Sequence, residues 1–276
     1  MSATRATSRP VTRIARRGGA VTTGSRPVPE EVPIAFSYGG STHAVMMGTP
    51  ADLADFALGF SLTEGIISSA DEIEAIEIVD EESGIDVQVV LRDEIADALR
   101  IRRRHMAGPV GCGLCGIESI EQAVRPVPDV SGARLPVSAE DLTDAMEALN
   151  GAQPLHALTR AVHGAGFYVP RKGLVAVRED VGRHNALDKL CGAVLASGHR
   201  GSDGIVVVTS RLSVEMVQKC AVLGAGILAA ISAPTALAIE TAEKAGLTLV
   251  ALIRGEDFEI YTHPFRIHTG VAAHVA

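Results

Sequence analysis

The sequence predicts an α/β protein in which a smaller N-terminal α+β domain precedes a larger domain of alternating strands and helices. Short, largely β-branched runs at Leu174 to Val177, Gly204 to Thr209, Ile227 to Ile231 and Leu247 to Ile253 are separated by helical patterns at Asn185 to Ala196, Ser213 to Leu223 and Pro234 to Ala245. Such alternation requires crossover connections, which give parallel strands covered by helices on both faces. Upstream, hairpin signals around a single amphipathic helix indicate a separate small sheet. A length of 276 residues accommodates both parts.

Residues 1–30 contain six arginines and no acid before Glu30, with many Ser, Thr and Gly residues, and are expected to form a disordered tail. Val32 to Met47 contains apolar stretches about Tyr38-Gly39-Gly40-Ser41, the pattern of a β-hairpin. Thr49-Pro50-Ala51-Asp52 predicts a helix from Pro50, with Leu53, Phe56, Ala57 and Phe60 as its apolar stripe and Gly65 as its stop. Two strands, Glu74 to Val79 and Ile85 to Leu91, flank an acidic turn, and Arg92 to Arg104 is expected to be helical. The small α+β domain therefore covers 31–110. A cysteine loop and Pro-rich linker fill 111–137, and the α/β domain covers 138–276, opening on a capped helix at Ser138 to Asn150.

Composition narrows the function. A net charge of −8 repels a phosphate backbone, and 3% aromatic residues leave few rings for base stacking, which argues against a nucleic-acid partner. No apolar run reaches the roughly 18 residues of a bilayer span, so no membrane partner is expected. Four cysteines, two of them paired closely and two isolated, do not resemble a secreted disulfide scaffold, and a cytoplasmic location is expected.

Cys112-Gly113-Leu114-Cys115 lies between Gly111 and Gly116, downstream of Arg102, Arg103, Arg104 and His105, whose positive charge would favour thiolate. Structural zinc would need two further ligands, and no second Cys-x-x-Cys or His-x-x-x-His pair exists, so no structural metal is expected. A redox dithiol remains open, although the pair does not follow a strand of a βαβ unit. Cys191 and Cys220 lie in helical apolar patterns and read as core residues.

In an open α/β sheet, ligands bind beyond the carboxyl ends of the strands. Three predicted helix starts fall there. The first is the charged stretch Glu179 to Lys189, with Arg183, His184 and Asn185; the second is Ser210-Arg211-Leu212-Ser213-Val214-Glu215, and the third is Ser232-Ala233-Pro234-Thr235. Arg183 and exposed helix-start amides suit a phosphate-bearing or dinucleotide ligand, with a solvated, ion-paired helix cap as the plainer alternative. His163 is a candidate proton carrier or a structural histidine.

The segments Thr49 to Phe60, Thr63 to Ile67, Cys112 to Gly116, Glu179 to Lys189, Ser210 to Met216, Ile231 to Thr235 and Tyr261 to His263 resemble, in order, those of the FdhD family of formate dehydrogenase accessory proteins. The likeness runs from about Glu31 to Gly270. It implies a cytidine-deaminase-like α/β/α sandwich for the larger domain, and a sulfurtransferase. A cysteine desulfurase would load a persulfide on Cys112, with Cys115 as the second thiol, for transfer to the molybdenum bis(molybdopterin guanine dinucleotide) client of formate dehydrogenase. Phe258, Glu259, Ile260, Tyr261, Thr262 and His263 match the family's cofactor-binding stretch, which Arg183, His184, Asn185, Ser210, Arg211 and Ser232 would complete. A homodimer is the expected assembly. Deaminase zinc chemistry is not expected, because His163 precedes Gly164-Ala165 instead of opening His-x-Glu and Ser210 to Met216 replaces Pro-Cys-x-x-Cys. Gly111 departs from the hydroxyl residue expected before the first cysteine. A non-catalytic cofactor chaperone and a thiol oxidoreductase are the rival readings.

Overall fold

The computed structural model describes the backbone of residues 5–106 and 126–270. Cys112, Cys115, Gly111 and the expected domain end near Val110 lie outside the described residues. The chain opens on a two-stranded antiparallel hairpin, β1 (Ser8–Arg17) and β2 (Ala20–Pro29), where the composition had predicted a disordered tail. The Gly18-Gly19 turn has positive φ at both residues, the geometry that closes a two-residue hairpin, and ten cross-strand pairs follow from it. Low hydrophobicity concealed these strands.

The small domain is a four-stranded sheet of β3 (Val32–Tyr38), β4 (Ser41–Gly48), β5 (Ile73–Glu81) and β6 (Gly84–Leu91), in the order β4-β3-β6-β5. Helix α1 (Leu53–Thr63) covers it, and α2 (Asp93–Met106) follows β6. Phe36 stacks on Phe60 at 4.5 Å between ring centroids and meets Phe56 edge-on at 4.9 Å, an aromatic cluster joining sheet and helix. The helix begins at Leu53 and not at Pro50. Asp52 precedes it with a left-handed φ of 52°, and Pro50 belongs to the entering loop.

The larger domain centres on a six-stranded sheet, β13-β12-β11-β10-β8-β9. Its strands are β8 (His163–Val169), β9 (Gly173–Asp180), β10 (Ile205–Val208), β11 (Ile227–Ala230), β12 (Thr248–Arg254) and β13 (Asp257–Ile260). Only β10, β11 and β12 run parallel to their neighbours in that group; β8, β9 and β13 add antiparallel edges. The parallel strands are short and buried on both faces, as expected for strands between helix layers. Helix α3 (Ala139–Gly151) covers one face through Leu142, Ala145, Met146 and Leu149. The opposite face carries α5 (Arg183–Ala196), α6 (Val214–Leu223) and α7 (Ala236–Ala245), giving an α/β/α sandwich. Strands β8 and β13 and the short helix α4 (Pro154–Thr159) were not foreseen: small residues dilute the first strand, and the others are too short to show a period.

Two features anchor the ends. Ser138 caps α3 reciprocally, its Oγ accepting from Asp141 N at 3.1 Å while its own amide donates to Asp141 Oδ2 at 2.9 Å. The Pro-rich approach to that helix is fastened by Arg266, which donates to Ala133 O, Val130 O and Thr248 Oγ1, while β7 (Val137–Ser138) pairs with β14 (Ile267–His268). Among the described residues, no helix is long and apolar enough to cross a membrane.

Candidate functional site

The two domains meet where α1 crosses α5. Gly59 and Gly192 face the opposing backbone so closely that a Cβ on Gly59 would lie 1.7 Å from Asp188 O, and one on Gly192 1.9 Å from Asp55 O. Beside this crossing lies a buried polar seam. Lys189 Nζ donates to Asp180 Oδ2 at 2.6 Å and Thr49 O at 2.8 Å, with both charged groups fully buried. Thr49 N also donates to Asp180 Oδ2, and Asn185 Nδ2 donates to Asp180 Oδ1 and Met47 O. A second lysine, Lys219, reaches Asp188, Thr63 Oγ1 and Glu64. Burial opposes its charge, yet Asp188 and Glu64 hold its pKa above the ordinary lysine value, so Lys219 stays protonated. Arg178 completes the seam, with Nε 2.8 Å from Asp55 Oδ2.

This seam accounts for much of the charge between Glu179 and Lys189. Asp180, Asp188 and Lys189 join the domains, and Glu179 accepts from Leu155 N and His156 N at the start of α4. Asn185 is buried and directed at Asp180 and Met47, so its side chain serves the domain contact. Arg183 and His184 remain at the first turn of α5, facing the start of α6. There His184 Nε2 lies 3.2 Å from Glu215 Oε2. Burial, reinforced by the Arg183 cation and opposed by Glu215, pushes the His184 pKa down to about 4, so a neutral imidazole meets the carboxylate at pH 7.

His163 opens β8 at the same end of the sheet; burial and the Arg183 charge lower its pKa as well. The adjacent Gly164 donates to Thr209 Oγ1, at the end of β10. Three buried polar atoms here have no partner among the described residues: Arg183 Nε, Ser213 Oγ and Gln153 Oε1. Ser213 precedes α6 without using its hydroxyl as a cap. Gln153 packs against Gly164, where a Cβ would fall 2.2 Å from its Oε1. Two of these atoms, Arg183 Nε and Ser213 Oγ, are donors at helix starts and suit an anionic oxygen ligand such as a phosphate, whereas Gln153 Oε1 is an acceptor.

The remaining expected residues divide by position. Ser210 is buried and donates to Arg211 O, whereas Arg211 is exposed. The loops after β10 and β11 are joined by a Leu212–Pro234 bridge, placing Ser232 beside Ser210's loop; Ser232 O accepts from Leu252 N at 3.4 Å. Leu252 holds a left-handed φ of 56° at a bulge in β12. Phe258 to His263 runs along the edge of the sheet, from the ligand end towards the opposite end. Ile260 pairs with Val250, and Tyr261 donates to Glu259 at 2.6 Å. Thr262 is buried in bonds to Leu247 and Leu249, while His263 Nε2 contacts Glu243 O. The fold thus groups Arg183, His184 and Ser210 with His163, Ser213 and Glu215, and sets Thr262 and His263 apart. Gln153 went unrecognised because an isolated glutamine before a proline has no distinguishing pattern.

Cys191 and Cys220 are fully buried between α5 and α6, and burial raises both thiol pKa values, strongly for Cys191. Neither side chain can present a thiolate nucleophile. The FdhD/NarQ family model matches residues 29–268, the greater part of the chain. The chain belongs to the FdhD/NarQ family. Among its FdhD relatives, a protein named sulfur carrier protein FdhD from Agrobacterium fabrum (strain C58) is 70% identical over 262 residues, covering 95% of this chain and 97% of that one. One of the same name from Brucella abortus biovar 1 is 59% identical, with 94% and 97% covered. A crystal structure assigned as a formate dehydrogenase accessory protein, from Desulfotalea psychrophila, superposes with a TM-score of 0.76 at 27% identity, covering 95% of this chain and 100% of that one.

Proposed function

We propose that this FdhD-family chain is a cytoplasmic sulfur carrier that moves persulfide sulfur from a cysteine desulfurase to the molybdenum bis(molybdopterin guanine dinucleotide) client of formate dehydrogenase. The observation that carries the reading is the near full-length match to proteins named as sulfur carriers, in a chain where two of four cysteines are sealed in the core. Cys112 and Cys115 are the thiols left to do the work.

In the first step the Cys112 thiolate attacks the outer sulfur of the desulfurase persulfide. That S–S bond breaks, the desulfurase leaves as a thiolate, and Cys112 bears the sulfur. In the second, the Cys115 thiolate attacks Cys112 Sγ. A Cys112–Cys115 disulfide forms, and hydrosulfide departs with the bonding electron pair to become a ligand of the client's metal. A dithiol reductant then restores the pair. Arg183, His184 and Ser213 are assigned to a phosphate of the client, with Ser210, Arg211 and Ser232 around it; of the stretch Phe258 to His263, only Phe258 to Tyr261 is assigned to its guanine nucleotide, since Thr262 is buried in bonds to the sheet and His263 lies towards its opposite end. Support for the phosphate contact comes from the orphaned Arg183 Nε and Ser213 Oγ.

The deciding experiment is complementation. In cells lacking the endogenous protein, the wild-type chain should restore formate dehydrogenase activity and a Cys112→Ser/Cys115→Ser chain should not. Full restoration by the double variant would favour a cofactor chaperone. Arg183→Ala should weaken binding of guanosine diphosphate by about tenfold while leaving Cys112 chemistry intact.

A further inference from the structure

We infer that the cavity between the β3–β4 turn and α2 is a binding site for a free α-amino acid with an apolar side chain. The cavity has a volume of about 380 Å³, lies in the small domain and shares no residue with the domain seam or with the Arg183 mouth. Strand register builds one wall. Thr42, Ser37 and Gln88 stand side by side across β4, β3 and β6, and Asp86 shares their face because alternate residues of a strand point to one side. Asp86 is held as an acceptor: Ser37 Oγ donates to its Oδ1 at 2.7 Å, and Gln88 Nε2 donates to its Oδ2 at 2.9 Å. A carboxylate offers about four lone-pair positions, so these two bonds leave others open. Ser37 Oγ, its proton spent on Asp86, can only accept further bonds, and Gln88 Oε1 is an acceptor by nature. Carboxylate, hydroxyl and amide oxygens together match the three N–H donors of a primary ammonium.

The opposite pole is Arg100, on α2. Its Nη1 donates to Asp97 Oδ1 at 2.9 Å, whereas its Nη2 has no acceptor among the described residues and faces the β3–β4 turn, where a Cβ on Gly39 would stand 3.8 Å from it. Gly39 and Gly40 both hold positive φ and carry no side chain, so the turn leaves this nitrogen uncovered. A ligand carboxylate accepts from it in a charge-assisted bond. Asp86, Asp93 and Arg100 line the cavity, and two carboxylates against one guanidinium leave a net charge of −1. Phosphates and dicarboxylates are therefore disfavoured, which separates this site from the anion site at the helix starts. A zwitterion is balanced, its ammonium on Asp86 and its carboxylate on Arg100. Val89, Leu91, Ala96 and Leu99 add apolar surface for its side chain.

Isothermal titration of the full chain with L-leucine at neutral pH tests the inference. L-Leucine should bind saturably. N-acetyl-L-leucine and L-leucinamide, each lacking one of the two charges, should bind at least about tenfold more weakly. Asp86→Asn and Arg100→Gln should each weaken L-leucine by at least about tenfold. Arg100 is exposed, so its variant keeps the test decisive even where Asp86→Asn disturbs the sheet, and an unchanged thermal transition confirms folding. No saturable binding up to about 10 mM L-leucine, an acetylated or amidated analogue that binds as well, or unchanged affinity in either folded variant would each overturn it.

Discussion

Lys189 shows how a single residue holds the domains together. Its ammonium is fully buried against Asp180 and Thr49 O and lies 5.3 Å from the Phe56 ring centroid. Removing one partner of such a pair strands the other charge away from water, which costs about 3–5 kcal/mol. Lys189→Met should lower unfolding free energy by that amount in urea titrations, and adding Asp180→Asn should recover part of it. A smaller loss in the single variant would mean that the pair is solvated.

His184 gives a pH signature at the same scale. Its folded pKa of about 4 lies below the ordinary 6.5, so the unfolded chain binds more protons between those values. Stability from this group is therefore complete above pH 6.5 and is lost as pH falls towards 4, by on the order of 2 kcal/mol. His163 acts in the same direction. Comparing urea midpoints of wild type and His184→Gln at neutral and acid pH should show a shallower acid loss in the variant.

At the scale of elements, the α1–α5 crossing brings two helix backbones together at Gly59 and Gly192. Gly192→Ala places a methyl carbon against Asp55 O, which the helices relieve only by separating; a loss of about 3 kcal/mol is expected from calorimetry. Gly65→Ala is a useful contrast. Its φ of 66° imposes strain but nothing crowds the site, and about 1 kcal/mol is expected.

The same elements show what a sequence reveals. Strands β10, β11 and β12 and helices α3, α5 and α6 were legible because apolar runs or periodic stripes, bounded by caps, encode them directly. The hairpin of β1 and β2 was not, since Arg, Ser and Thr on both faces leave no alternation to detect. The pair Arg183 and His184 was legible as charge at a helix start. Its neighbours Asp180, Asn185 and Lys189 looked identical in sequence, and only the position of Thr49 and Met47 opposite them shows that they serve the domain contact.

Across the whole molecule, the shared seam predicts cooperative behaviour. The two domains bury charges and glycines against each other, so the wild type should unfold in one calorimetric transition, whereas Gly192→Ala should resolve it into two. Cys191 and Cys220 are sealed inside this body, where neither can present a thiolate.

The most direct measurement of the carrier's chemistry is peptide mass spectrometry after incubation with a cysteine desulfurase and cysteine, with thiols alkylated. One added sulfur should appear on the peptide containing Cys112 in the wild type and be absent in Cys112→Ala. An adduct that persists in Cys112→Ala, or one on Cys191 or Cys220, would contradict the account.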